Sequence, residues 1–172
     1  MGKNVTAYDL AEGIERVRWG DSENDVLAAY PWAEHVTKIH GKDAGGKVLV
    51  IPEALVVADF VSLPGVSIQA LVGFSECRVV GVDLFPRGLY QQLVSLKPLR
   101  QAVVALGARM GVQVDDAATE WEVSGAWVDV WFKYNDFVMS IYAPNTDLAR
   151  RTPHHRAYRL LQAQRAARFP NQ

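Results

Sequence analysis

Three apolar segments in the middle of the chain follow one another with no helical segment between them. They cover residues 47–60, 66–74 and 77–85 and are rich in β-branched side chains. Pro64-Gly65 and Ser75-Glu76, which are typical of turns, separate them. Strands that come in a block, rather than alternating with helices, favour an antiparallel sheet with helices on one side.

Two helical patterns precede this block. The stretch up to Arg18 has apolar residues at helix-like spacing and predicts a short amphipathic helix. Ser22 can cap a second short helix, and Asp25 three residues later completes a capping box. Pro31 ends that helix. The apolar positions of the first pattern are Leu10, Ile14 and Val17.

A longer helix follows the three strands. Between residues 87 and 110 the apolar residues recur at helical spacing, and Pro98 either starts the helix or kinks a longer one. A last helix is predicted from Thr152-Pro153 to about Arg168, within a basic C-terminal segment, residues 146–172. The apolar positions of the longer helix are Leu99, Ala102, Val103, Leu106 and Met110.

A second β-rich block lies between the last two helices. Residues 120–134 and 137–143 predict a hairpin that turns at Asn135-Asp136. The second half of its first strand alternates strictly, so the side chains point in turn to opposite faces of the sheet. One face carries Val128, Val130, Phe132 and Tyr134, and the other carries Trp127, Asp129, Trp131 and Lys133.

Together these patterns predict a single α+β domain over residues 1–172, with the order α-β-β-β-α-β-β-α. The sheet is expected to be mainly antiparallel, with about five strands and with the helices packed on one side. A chain of this length can bury a sizeable core.

Composition narrows the setting of the protein. Nineteen acidic residues nearly balance eighteen basic ones, so the net charge gives no case for a nucleic-acid or membrane-surface protein. The single cysteine, Cys77, cannot form an internal disulfide and is expected to be a buried, inert thiol. Neither the apolar core of a signal peptide nor a membrane-spanning run appears, so we expect a cytoplasmic protein.

The motifs of common cofactor sites lack their context. Residues 41–47 have the glycine and lysine spacing of a phosphate-binding loop. No Ser or Thr follows the lysine and the next segment is a predicted strand, so we interpret these residues as a turn. The histidines lack the spacing of a metal site, and no metal or cofactor is predicted. They are His35, His40, His154 and His155.

Acidic and aromatic residues concentrate in the second β-rich block. Residues 115–136 contain six acidic residues and a single lysine. Trp127 and Trp131 flank Asp129 on one strand face. Because tryptophan is a preferred interface anchor, this pattern indicates a surface for a basic protein partner. A helix that covers the face would instead make both tryptophans ordinary core, which is the commoner arrangement. The predicted partner-binding residues are Trp127, Asp129, Trp131, Glu120, Glu122, Asp115 and Asp116.

The C-terminal segment has the opposite charge. Between residues 146 and 172 six arginines accompany one acid, Asp147. Such a segment could be a basic arm for nucleic acid. The arginines are spread around the predicted helix and do not form a stripe, which favours a terminal helix folded onto the acidic body. Its predicted docking face is Ala157, Leu160, Leu161 and Gln164.

The segment from Trp19 to Pro31 has the pattern W-G-x-S-x-x-x-V-x-x-x-Y-P. It resembles the helix start of SmpA/OmlA-type lipoproteins and of β-lactamase-inhibitor-like domains, and that of small cytosolic immunity proteins encoded beside bacterial toxins. The resemblance covers thirteen residues and implies a protein-binding scaffold without catalytic residues. The chain departs from the lipoproteins in lacking a lipid-attachment cysteine near its start, which favours the immunity proteins.

The hypothesis from sequence is therefore a non-enzymatic bacterial immunity protein, which neutralises a basic toxin by occluding it. One alternative is a hydrolase or transferase that assembles its site only in three dimensions, from His35, His40, Cys77 and the carboxylates. Another is a nucleic-acid-associated protein that acts through the C-terminal arginines.

Overall fold

The computed structural model describes residues 7–36, 39–42, 48–51, 54–86, 96–115, 120–133 and 136–144. Within these ranges the chain is α+β, as predicted, with two helices and a mainly antiparallel arrangement of strands. The helices are α1 (Glu23–Ala29) and α2 (Leu96–Met110). The strands are β1 (Gly13–Ile14), β2 (Val17–Arg18), β3 (Glu34–Val36), β4 (Ile39–Lys42), β5 (Val48–Ile51), β6 (Ala54–Leu63), β7 (Val66–Ser75), β8 (Arg78–Pro86), β9 (Glu120–Val123), β10 (Ala126–Lys133) and β11 (Asp136–Tyr142).

The main sheet has the strand order β3-β6-β7-β8-β11-β10-β9, and every neighbouring pair is antiparallel. The prediction of about five strands in the order α-β-β-β-α-β-β-α is therefore wrong in its detail. The main sheet has seven strands within the described ranges, and β1–β2 and β4–β5 form two small hairpins beside it. The segment predicted as one strand from Lys47 to Phe60 contains two strands, β5 and β6.

Both helices pack on one face of the main sheet, which we call the first face. The largest hydrophobic cluster joins α1, α2 and the β1–β2 hairpin to alternate residues of the central strands. A smaller cluster on the second face contains no residue of either helix. Its buried members are Ala54, Leu71 and Val138, with Val56 and Phe85 packed against them.

The predicted N-terminal helix up to Arg18 is wrong, because these residues form the β1–β2 hairpin. Gly13 has φ +155° and Glu15 has φ +52°, values that a right-handed helix does not allow. The three apolar residues that suggested a helix are nevertheless buried, since Leu10, Ile14 and Val17 are at most 1% exposed. The apolar spacing therefore reflects which side chains of the hairpin are buried, and it does not reflect a helix.

The predicted first strand of the second β-rich block is also divided. Ser124 and Gly125 have positive φ and join β9 to β10 as a tight turn. The predicted alternation within β10 is confirmed where side chains are described: Val128 and Val130 lie in the first-face core, whereas Trp127 and Asp129 do not.

The predicted short helix is confirmed as α1. The Ser22 hydroxyl accepts from the Asp25 backbone N–H at 3.2 Å, and the Asp25 carboxylate accepts from the Ser22 backbone N–H at 2.8 Å. The Ser22 hydroxyl also donates to the carboxylate at 2.8 Å. These backbone and hydroxyl donors hold the pKa of Asp25 below its ordinary value.

Removing this cap by Ser22→Ala is expected to lower the free energy of unfolding by about 1 kcal/mol. Urea denaturation measures the change, with Ser62→Ala, an exposed serine in β6, as the control. Because the folded pKa of Asp25 is lowered, its contribution is present above the unfolded pKa and is lost as the pH falls through the folded pKa. The cost of Ser22→Ala should therefore shrink in acid; an equal cost at low pH would contradict the role of the carboxylate.

The long helix is confirmed over its C-terminal part. Its five predicted apolar positions are at most 3% exposed, and Pro98 lies in the first turn of α2, where its missing N–H costs nothing. Residues 87–95 of that prediction lie outside the described residues, as does the predicted helix after residue 152. The turn predicted at residues 41–47 is wrong at Gly41 and Lys42, which are the last residues of β4, and its residues 43–47 lie outside the described ranges. The strand predicted after residues 41–47 is present as β5.

Candidate functional site

Polar side chains form a row across four strands on the second face of the sheet. Ser140 of β11 lies directly opposite Asp83 of β8 on one side and Asp129 of β10 on the other. Asp129 in turn lies opposite Glu120 of β9. Directly opposed residues have Cα atoms about 5 Å apart, so Asp83 and Asp129 are separated by about 10 Å with Ser140 between them.

A second row runs beside the first. Tyr142 of β11 lies opposite Gly81 on β8 and Trp127 on β10, and Trp127 lies opposite Glu122 on β9. A Cβ atom at Gly81 would stand 2.9 Å from Cδ1 of Tyr142, so this glycine leaves room for the tyrosine ring. The two rows together place carboxylates and aromatic rings on one continuous surface.

Exposure changes sharply along these rows. Asp83, Ser140 and Asp129, which we call the polar row, are 5%, 0% and 4% exposed. Glu120 and Glu122 on the edge strand are exposed, and Trp127 beside them is half-buried. We call these last three residues the acidic rim. A buried polar centre thus borders an accessible acidic edge that includes an aromatic ring.

The structure brings four of the seven predicted binding residues together on this face: Trp127, Asp129, Glu120 and Glu122. Asp115 is exposed in the segment after α2, and Asp116 lies outside the described residues. Trp131 lies opposite Val138 in the register of β10 and β11, but its side chain is not among those described. Asp129 is buried, whereas Glu120 and Glu122 are exposed.

Sequence reasoning missed Asp83, Ser140 and Tyr142. A carboxylate and a hydroxyl within two otherwise apolar strands could have indicated them. Buried polar groups in such strands require partners, so their presence points to a polar cluster. The Ser140 hydroxyl oxygen is buried and makes no hydrogen bond within the described part of the chain.

The residues of the enzyme alternative are arranged differently. His35 in β3 is exposed, and its Nε2 lies 2.9 Å from Oε1 of Glu23. Cys77 is exposed in the turn between β7 and β8, which corrects the expectation of a buried thiol; it has φ +61°, because the tight turn needs this conformation. His40 belongs to β4, and His154 and His155 lie outside the described residues. Across the described ranges no group of three His, Cys, Asp or Glu side chains is arranged to hold a metal ion.

A separate charged cluster joins the N-terminal segment to the end of α2. The Tyr8 hydroxyl donates to the Glu15 carboxylate, and Arg109 donates to the Tyr8 hydroxyl at 3.3 Å. The Tyr8 backbone N–H donates to the Arg109 carbonyl at 2.7 Å. Burial, together with the Glu15 carboxylate, raises the pKa of Tyr8 above its ordinary value. We infer that this cluster is structural and holds the N-terminal segment against the end of α2.

Neither α1 nor α2, the two helices in the described ranges, is long and apolar enough to cross a membrane. Comparison of the chain with known protein families, with curated proteins and with solved structures found no match.

Proposed function

We propose that this protein is a non-enzymatic protein-binding protein that neutralises a basic toxin or effector enzyme by occluding it, as a bacterial immunity protein does in the cytoplasm. The observation that supports the proposal is the acidic rim, in which two exposed carboxylates border a half-buried tryptophan. Asp115, Asp116 and Trp131 remain predicted partner contacts.

The rim combines the two properties that such binding needs. Exposed carboxylates at the edge of the sheet attract a basic partner over long distances and raise the association rate. Trp127 supplies a large, rigid side chain of the type that dominates interface energies. Because β10 is paired with β9 and β11 on its two sides, the rim is held in place before binding, and little conformational entropy is lost in the complex.

The buried carboxylate of Asp129 has a different place in this proposal. At 4% exposure it offers almost no area to a partner, so we assign partner contact to the rim and support of the rim to Asp129. Glu120 lies directly opposite it, and a partner cation at Glu120 therefore approaches the buried carboxylate as well.

The double charge reversal Glu120→Lys with Glu122→Lys is expected to weaken partner binding by about tenfold to a hundredfold, mainly through slower association. The tagged full chain would be used to capture its companion from the native host, and the affinity of the purified pair would then be measured by calorimetry.

Glu34→Lys is the matched control for this experiment, because Glu34 is an exposed acid in β3 at the opposite edge of the same sheet. We expect the control to bind as the wild type does. Equal affinities for the double reversal and the wild type would show that the rim is not the contact surface.

A further inference from the structure

We propose that the edge strand β9 binds an extended segment of the partner, which pairs with it as an additional antiparallel strand. The segment alternates basic and apolar residues. This inference rests on the proposed function, because it specifies the part of the basic partner that the acidic rim recognises.

β9 lies at one end of the main sheet. Within the described ranges it pairs with β10 on one side, and no strand lies on its other side. A strand at the edge of a sheet offers its outer N–H and C=O groups to a further strand, and some proteins bind extended peptides in this way. β3, at the opposite end, has three residues against four in β9 and carries a single acid, Glu34. β9 is therefore the better edge for a basic segment.

The turn between β9 and β10 determines which backbone groups of β9 point outwards. The two-residue turn Ser124-Gly125 makes Val123 and Ala126 a hydrogen-bonded pair. Hydrogen-bonded and non-hydrogen-bonded pairs alternate along antiparallel strands, so Glu122 and Glu120 direct their N–H and C=O groups away from β10. The residues with exposed carboxylates therefore also carry the outward backbone groups.

The side chains of β9 define the chemistry of the bound segment. Glu120 and Glu122 are exposed on the second face of the sheet. Trp121 and Val123 are half-buried and pack against the first-face cluster. Side chains directly opposite each other on paired strands share a face, and opposite charges there attract. The added strand therefore places basic residues beside the two carboxylates and apolar residues beside the tryptophan and the valine.

A synthetic hexapeptide in which lysine and valine alternate tests this proposal on the full-length protein. We expect saturable binding in an NMR titration of the backbone amides. In the complex, hydrogen exchange of the Glu120 and Glu122 amides should slow about tenfold or more, because peptide carbonyls accept from them. The amides of Trp121 and Val123 already donate to β10, so their exchange is the internal control and should not change.

Methylation of the peptide's own amide nitrogens separates backbone pairing from charge attraction. In an antiparallel strand the lysines opposite Glu120 and Glu122 exchange hydrogen bonds with them, whereas the valine N–H groups point away. Methylation of the lysine amides is therefore expected to weaken binding about tenfold or more. Methylation of the valine amides should leave the affinity within about twofold. The two methylated peptides have the same charge and the same composition.

The absence of saturable binding by the unmethylated peptide would overturn the proposal, as would equal affinities of the two methylated peptides. Slow exchange of the Glu120 and Glu122 amides in the free protein would also overturn it, because the edge would then be occupied already. In each of these cases the proposed function stands as long as the Glu120→Lys with Glu122→Lys variant binds the captured companion more weakly than the wild type. Unchanged affinity of that variant for the companion would overturn both.

Discussion

Replacing Phe137 by alanine is expected to lower the free energy of unfolding by about 3–5 kcal/mol. Phe137 is fully buried in β11 and belongs to the large first-face cluster. Phe137 lies opposite Phe132 of β10, and α2 packs over β11, so the surroundings have little freedom to close the cavity. Urea denaturation monitored by tryptophan fluorescence measures the loss.

Val104→Ala is the control for this substitution, because Val104 is 54% exposed on α2. It should change stability by less than about 0.5 kcal/mol. A loss below about 1 kcal/mol for Phe137→Ala would contradict the placement of this side chain in the core.

Gly13→Ala is expected to cost about 3 kcal/mol or more, or to prevent folding. A Cβ atom at this position would stand 2.0 Å from the carbonyl oxygen of Val17 and 2.9 Å from the Cα of Arg18. Both are backbone atoms of the facing strand, so relief requires the β1–β2 hairpin to open. Opening it would expose Ile14 and Val17, which are fully buried.

Gly111→Ala separates this clash from backbone strain. Gly111 has φ +78°, yet nothing lies within 4 Å of its ideal Cβ position. We expect it to cost only about 1–2 kcal/mol, the penalty of the left-handed conformation. Thermal unfolding of the two variants would give the comparison, and equal losses would show that the close approach at Gly13 is not the cause.

Local signals predicted the elements whose stabilising contacts are local. The Ser22–Asp25 capping box lies within four residues of sequence, and both of its predicted hydrogen bonds are present in the structure. The apolar face of α2 repeats often enough to be read with no knowledge of its neighbours.

Local signals misled where tertiary contacts decide the backbone. Leu10, Ile14 and Val17 have a spacing that a helix or a tight hairpin satisfies equally, and Gly13 with its positive φ decides for the hairpin. The pair Ser124-Gly125 is typical of a turn, although it lies within a β-rich run. Both residues adopt a positive φ, and the tight turn they form divides one predicted strand into two.

Local signals also predicted part of the candidate site. Alternation along β10 correctly put Trp127 and Asp129 on one face, because a strand's period of two is a local property. The polar row could not be found in this way. Asp83 and Ser140 are 57 residues apart in sequence, and only the pairing of β8 with β11 places them side by side.

Titration of the companion's enzymatic activity with this protein tests the central claim most directly. We expect wild-type protein and Glu34→Lys to abolish the activity at a one-to-one ratio, and the Glu120→Lys with Glu122→Lys variant to require a much higher concentration. A companion that stays fully active in the saturated wild-type complex would contradict neutralisation by occlusion.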